Sequence, residues 1–254
     1  MAIYRDDEDL TFLQYCDNDD LAMLVSILTY DPKDKSPRYS ESLTKHEDYQ
    51  KYYHKNEHQK YWQAIAAEMQ TYGANSLVTL ARGGKGVCYR EILIDVCKRQ
   101  KVNFSKKAPI EMLEMALMMK MLEVALEKMS DEEKMEFVAE MGMNISVPST
   151  QLILTSLQSA IRLSGFAAYR FATTTLAYLL RLIGLKAPMS VYILLTTSMR
   201  MMSGPVGLVL NAAWFASDIA SPAFRVTIPA CVIIGYLRQR HLYETEQSKL
   251  SQNT

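Results

Sequence analysis

Paired cysteines are missing from this sequence: Cys16, Cys88, Cys97 and Cys231 stand far apart, with no CxxC couple and no dense framework. That spacing excludes a disulfide-stapled secreted domain and implies a reducing compartment. An export signal is missing too, since Met1-Ala-Ile-Tyr-Arg-Asp-Asp-Glu-Asp9 is acidic where a signal peptide is basic and then apolar. The expected location is therefore cytoplasmic, peripheral to or inserted at the inner membrane through the C-terminal half. Strand signals are nearly absent, and no internal repeat or low-complexity tract is visible. Acidic residues run out after position 148, where only three occur against nine basic ones. Those cations are spread along hydrophobic segments. No concentrated basic patch exists, and nucleic acid is excluded as a partner.

What is present is a chain of 254 residues with 49% hydrophobic content, ample for a core. A formal net charge of zero conceals two halves of opposite sign, residues 1–148 at −6 and residues 149–254 at +6. Seven of the nine C-terminal cations are Arg, which suits snorkelling to phosphate headgroups or pairing with the acidic half.

Helix signals recur from end to end. Asp17 and Asp20 open a helix whose Leu21, Leu24, Val25 and Leu28 keep helical spacing until Asp31-Pro32 ends it. Thr44 with Glu47 reads as a capping box, and Asn56 with Gln59 as a looser one before Trp62, Ile65, Ala66 and Met69. Leu77–Ala81 and Val87–Gln100 read as a hairpin around Arg82-Gly-Gly-Lys-Gly86. Pro109 opens a helix to Met129 that is apolar on most of its circumference, and Ser130 with Glu133 caps the next. Gly142 and Pro148 bracket a turn, placed here as the boundary between an acidic helical module (1–148) and a hydrophobic, basic one (149–254). The first module is expected to fold alone. Beyond it lie Ser149–Ser164, Phe166–Ile183 and a helix from Pro188.

The stretch Met201–Leu237 is expected to carry the function. Its first seventeen residues have no charge, and Gly204, Pro205 and Gly207 open it. A helix of about 17 residues spans roughly 25 Å, marginal for a bilayer crossing. Ala212, Ala216 and Ala220 form a small-residue stripe that admits a neighbouring helix. Arg225 and Pro229 follow, Pro229 inside an apolar run where the helix must kink or restart, and then Arg238 and Arg240.

Asp9-Leu10 with Phe12-Leu13-Gln14, Trp62-Gln63 with Glu68, Tyr89-Arg90 with Ile92-Leu93 and Asp95-Val96, Gly204-Pro205-Val206-Gly207 and Arg225-Val-Thr-Ile-Pro-Ala230 together resemble the YaaW family of uncharacterised bacterial proteins. The resemblance runs from end to end. The family is sometimes labelled as related to ubiquinol-cytochrome c chaperones. No string here matches the mitochondrial assembly chaperones themselves, so that label enters by analogy. The resemblance implies no catalytic residues.

His54-Lys-Asn-Glu-His58 has the H-x-x-E-H spacing of a zinc site, but Asn56 reads as an N-cap that leaves His54 outside the helix, so a polar connector is expected. Arg82–Gly86 lacks the first glycine of a P-loop, with Thr79 in its place, and is expected to be a tight turn. Nine methionines fall between Met112 and Met143, a composition suited to a groove for varied apolar clients; Met112, Met115, Met119 and Leu122 are expected to be consumed by core packing. No catalytic residue, metal or cofactor is assigned.

The sequence reading is an all-α, non-enzymatic, membrane-associated interaction or chaperone-like protein. Its expected partner is a membrane surface or a hydrophobic protein, and self-association is left open. A membrane-inserting effector and a cytosolic helical ligand binder or enzyme are the alternatives.

Overall fold

The computed structural model describes residues 2–31, 36–38, 41–72, 86–182, 188, 191 and 224–252. Among them every regular element is helical and no strand occurs. Helix α1 (Asn18–Thr29) buries Leu21, Leu24, Val25 and Leu28, with Asp19 and Asp20 in its first turn, where the helix dipole favours negative charge. The short α2 (Glu47–Tyr52) departs from expectation. Thr44 does not cap it, because its hydroxyl is taken by the Glu41 carboxylate; the cap is His46, whose Nδ1 accepts the Asp48 N–H at 3.2 Å.

Helix α3 (Trp62–Tyr72) is followed by α4 (Tyr89–Arg99), α5 (Ile110–Leu126) and α6 (Asp131–Glu140). Ser130 and Glu133 make the reciprocal capping box of α6, at 3.2 and 2.7 Å. Helices α7 (Thr150–Leu163) and α8 (Gly165–Leu182) meet at Ser164, and α9 (Phe224–Gln252) ends the described chain. The expected helices at Leu77–Ala81 and after Pro205 lie outside the described residues, as do Gly204, Pro205, Gly207, Ala212, Ala216 and Ala220, and of the one from Pro188 only Pro188 and Val191 are described. Of the glycine turn only Gly86 is described. Val87 N–H donates to the Gln70 carbonyl at 3.2 Å, and a Cβ on Gly86 would fall inside the envelope of that carbonyl, so only glycine fits.

Helix α9 is the axis. Fourteen consecutive residues, Val226 to Gln239, are buried on all sides, as a helix with no polar face must be. They pack against α1, α3, α4, α5, α8 and the 3-10 turn Thr11–Tyr15. The helix passes through Pro229 without restarting. Pro229 lies near its start, so the missing N–H removes a single hydrogen bond before the ladder resumes.

The change of charge at residue 148 is not matched by a change of core. Leu24, Ile65, Leu93, Leu117, Phe171 and Ile233 belong to one continuous apolar cluster. Deleting residues 149–254 removes the helix against which α1, α4 and α5 pack. Fragment 1–148 is expected to lack a cooperative thermal melt by circular dichroism; a sharp transition would establish it as an independent module.

Candidate functional site

Three residues of α5, Met112, Met115 and Met119, recur at helical spacing and form one wall of a groove of about 610 Å³. Leu154, Gln158, Ile161 and Arg162 of α7 form the facing wall. Gly165 and Ala168 of α8, Gln239 and Leu242 of α9, and Val102 and Asn103 of the preceding loop close the remainder. Local sequence accounts for each wall. Ser149 caps α7, its hydroxyl accepting the Leu152 N–H at 3.2 Å, and the helix then turns Ile153, Leu154 and Leu157 inward.

The methionines thus divide. Met119 is buried as expected of core, with Leu122, whereas Met112 is 61% exposed and Met115 half-buried at the groove. Leu163, 87% exposed, with Phe166 and Leu242, adds apolar surface close to the mouth. Polar groups are few. Lys120 is paired with Glu123 at 2.5 Å, and Glu111 lies in the first turn of α5. Arg162 has no ion pair or hydrogen bond among the described residues. Among the described residues that line the groove none is Cys, Ser or His.

Of the residues singled out from sequence, Arg225, Pro229, Arg238 and Arg240 are described, all on α9. Arg225 is exposed and engaged, and Pro229 is buried. Arg238 lies in the core, not at a surface. Its Nε meets both Glu114 carboxylate oxygens at 3.1 and 2.9 Å, an Nη donates to the Asp9 carbonyl at 2.5 Å, and the guanidinium lies 4.3 Å from the Phe12 ring centroid. Arg240 reaches Asp17 at 2.5 Å, Asp20, and Glu244 at 2.7 Å. Of the two roles open to these arginines, pairing with the acidic half is the one their geometry displays.

Glu114 is 1% exposed. Burial pushes its carboxyl up to about 6, with Arg238 pulling the other way. Burial alone would lower Arg238, and the Glu114 carboxylate more than offsets it. His54 and His58 sit on separate 3-10 turns divided by Asn56, which is left-handed at φ 55° and donates to Asp19 at 2.7 Å. His58 is fixed by the Tyr61 hydroxyl, and burial lowers its pKa. Among the described residues no His, Cys, Asp or Glu cluster could hold a metal, and no helix is long and apolar enough to cross a membrane. Cys97 and Cys231 are buried thiols, Cys97 pushed up to about 12 and Cys231 well up, so neither is a ready nucleophile.

Comparison with known proteins adds identity without activity. A UPF0174 protein of Helicobacter pylori (strain J99 / ATCC 700824) is 35% identical over 97% of this chain and 96% of its own length. The UPF0174 protein YaaW of Escherichia coli (strain K12) is 32% identical, over 93% and 95%. The chain belongs to the UPF0174 family, with YaaW. A further UPF0174 protein, from Helicobacter pylori (strain ATCC 700392 / 26695), is 34% identical over 78% of this chain and 97% of its own. A profile described as "Domain of unknown function (DUF3944)" matches residues 4–39, which include Asp9, Phe12, Asp17 and Asp20, the groups that receive Arg238 and Arg240. No solved structure is significantly similar.

Removing one member of a buried ion pair strands the other. Arg238→Ala is expected to cost about 3 to 5 kcal/mol in denaturant unfolding, and the paired change Glu114→Leu with Arg238→Leu to recover most of it. The pH sign follows from the raised carboxyl. Its favourable contribution is complete below its ordinary value of 4.5 and is lost as pH rises through about 6. Glu114→Gln should flatten that part of the stability–pH curve; an unchanged curve would assign the titration to other groups.

Proposed function

We propose that the protein is a non-enzymatic, membrane-associated interaction protein that takes apolar chains into the methionine-walled groove. The observation that carries this reading is the groove itself: its volume of about 610 Å³ lies in the range of ligand pockets, and large apolar side chains stay exposed around it. Methionine supports a chaperone-like breadth of client, because its unbranched thioether refits to different shapes.

Membrane association is supported by the exposed Leu163 and Phe166, by the +4 charge that residues 149–254 keep once Arg238 and Arg240 are paired with the acidic half, and by the uncharged stretch Met201–Ser217. The proposed location is the cytoplasmic face of the inner membrane, held through the C-terminal half. The six small or turn residues Gly204, Pro205, Gly207, Ala212, Ala216 and Ala220 are proposed to serve that contact, with Arg225 nearby. Arg238 and Arg240 are assigned instead to the internal contact with the acidic half.

Flotation of the full chain with phosphatidylglycerol vesicles tests the proposal. Recovery with vesicles is expected at low salt, reduced in Leu163→Glu, while stability stays within about 0.5 kcal/mol because Leu163 is 87% exposed. Protein that stays wholly in the soluble fraction at low salt would overturn membrane association. Leakage of entrapped dye would favour the membrane-inserting alternative.

A further inference from the structure

Helix α4 ends on a strained cation. Val102 N–H donates to the Cys97 carbonyl at 2.9 Å and Lys101 N–H to the Lys98 carbonyl at 3.1 Å, the two bonds that close a helix through a left-handed residue. That residue is Lys101, at φ 53°, a conformation glycine adopts without steric cost. No side-chain contact offsets the strain, because Lys101 is exposed and makes no ion pair or side-chain hydrogen bond among the described residues.

Lys101 belongs to a basic loop inside the acidic half. Residues 98–107 hold five basic side chains and no acidic one. Lys98 is taken by Asp95 at 2.9 Å, and Arg99 lies over the Phe224 ring. Lys106 and Lys107 are exposed and, like Lys101, make no ion pair among the described residues. Both ends of the loop line the groove, Val102 with Asn103 at one and Glu111 with Met112 at the other, and Arg162 of α7 lines it with them. The lysines therefore stand on the same side of the molecule as the α7–α8 corner, where Leu163 is 87% and Phe166 44% exposed. Arg162 is a fourth cation without an ion pair among the described residues. Two acids stand nearby, Glu111 and Glu246, whose carboxylate lies against Gly165. Four cations to two acids leave this face net positive.

An anionic partner is called for, and the apolar side chains select which. A nucleic-acid duplex offers phosphates but no apolar layer for Leu163 to enter, whereas a bilayer surface offers phosphates outside and an acyl boundary beneath them. We propose that the α4–α5 loop docks the protein on an anionic bilayer, with Lys101, Lys106, Lys107 and Arg162 on lipid phosphates and Leu163 and Phe166 at the acyl boundary. This contact presupposes the membrane association proposed above, and it places headgroup recognition on lysines of the acidic half.

Cosedimentation of the full chain with vesicles of equal parts phosphatidylcholine and phosphatidylglycerol, and with vesicles of phosphatidylcholine alone, tests the contact. Binding at low salt is expected to favour the anionic vesicles and to fall as salt rises. Each lysine near the surface contributes about fivefold, so the triple variant Lys101→Gln/Lys106→Gln/Lys107→Gln should bind anionic vesicles on the order of a hundredfold more weakly. Lys101→Gly should bind about fivefold more weakly with no loss in denaturant midpoint, an outcome that a purely structural lysine would not give. Native binding to anionic vesicles that the triple variant retains in full, or equal binding to both vesicle types, would overturn the lysine contact and leave membrane association standing. No recovery with either vesicle would overturn both. Binding to duplex DNA that the triple variant loses, with none to vesicles, would overturn the bilayer in favour of nucleic acid.

Discussion

The buried ion pair between Glu114 and Arg238 is the constraint on which the other contacts depend. Two charges withdrawn from water regain little net energy from each other, and an apolar pair of the same volume serves stability as well or better. What such a pair does is select. Arg238 satisfies its fork only when α9 stands at one height and one rotation, with Glu114 of α5 on one side and the Asp9 carbonyl and Phe12 ring on the other. A slip of one residue turns the guanidinium away and leaves a buried charge unpaired. Close approach reinforces the register, because a side chain at Gly235 would press on Met118 and Glu114. Arg240, two residues on, repeats the contact at the surface with Asp17 and Asp20. The opposite charges of the two sequence halves thus meet inside the fold.

From that register the groove follows. Once α9 is seated on α5, Gln239 and Leu242 emerge at the end of the buried stretch, beside the wall of Met112, Met115 and Met119. Helices α7 and α8, joined at Ser164, complete the opposite side. A trough between helices is a usual place for a ligand, since packing is complete on one face of each helix and unfinished on the other.

Much of the fold was legible because helices announce themselves locally. The spacing of Leu21, Leu24, Val25 and Leu28, the Ser130–Glu133 box and the Pro109 start are each set within a few residues, and each element lies where its signal stands. Thr44 misled for a local reason: Glu41, three residues upstream, took its hydroxyl before Glu47 could complete a box. Arg238 was not legible locally. Its charge is plain in sequence, but its partner Glu114 lies 124 residues away, and nothing local separates a snorkelling arginine from a buried one. The groove was half legible. The density of methionines between Met112 and Met143 suited an adaptable groove, but Met112 and Met115 were expected in the core with Met119, and only Met119 is buried there. Which face of α5 stayed open depended on how α7, α8 and α9 cross it, and that is set by long-range packing.

Helix α9 is the axis about which both halves fold as one unit. Native-state hydrogen exchange tests it most directly, because amides that open only on global unfolding mark the last structure to be lost. Amides from Ala230 to Gln239 are expected to exchange slowest, at the free energy of global unfolding, together with those of α5 and α4. Amides of that stretch exchanging faster than those of α1, α3 and α4 would contradict it, and would make α9 an attachment to a core that stands without it.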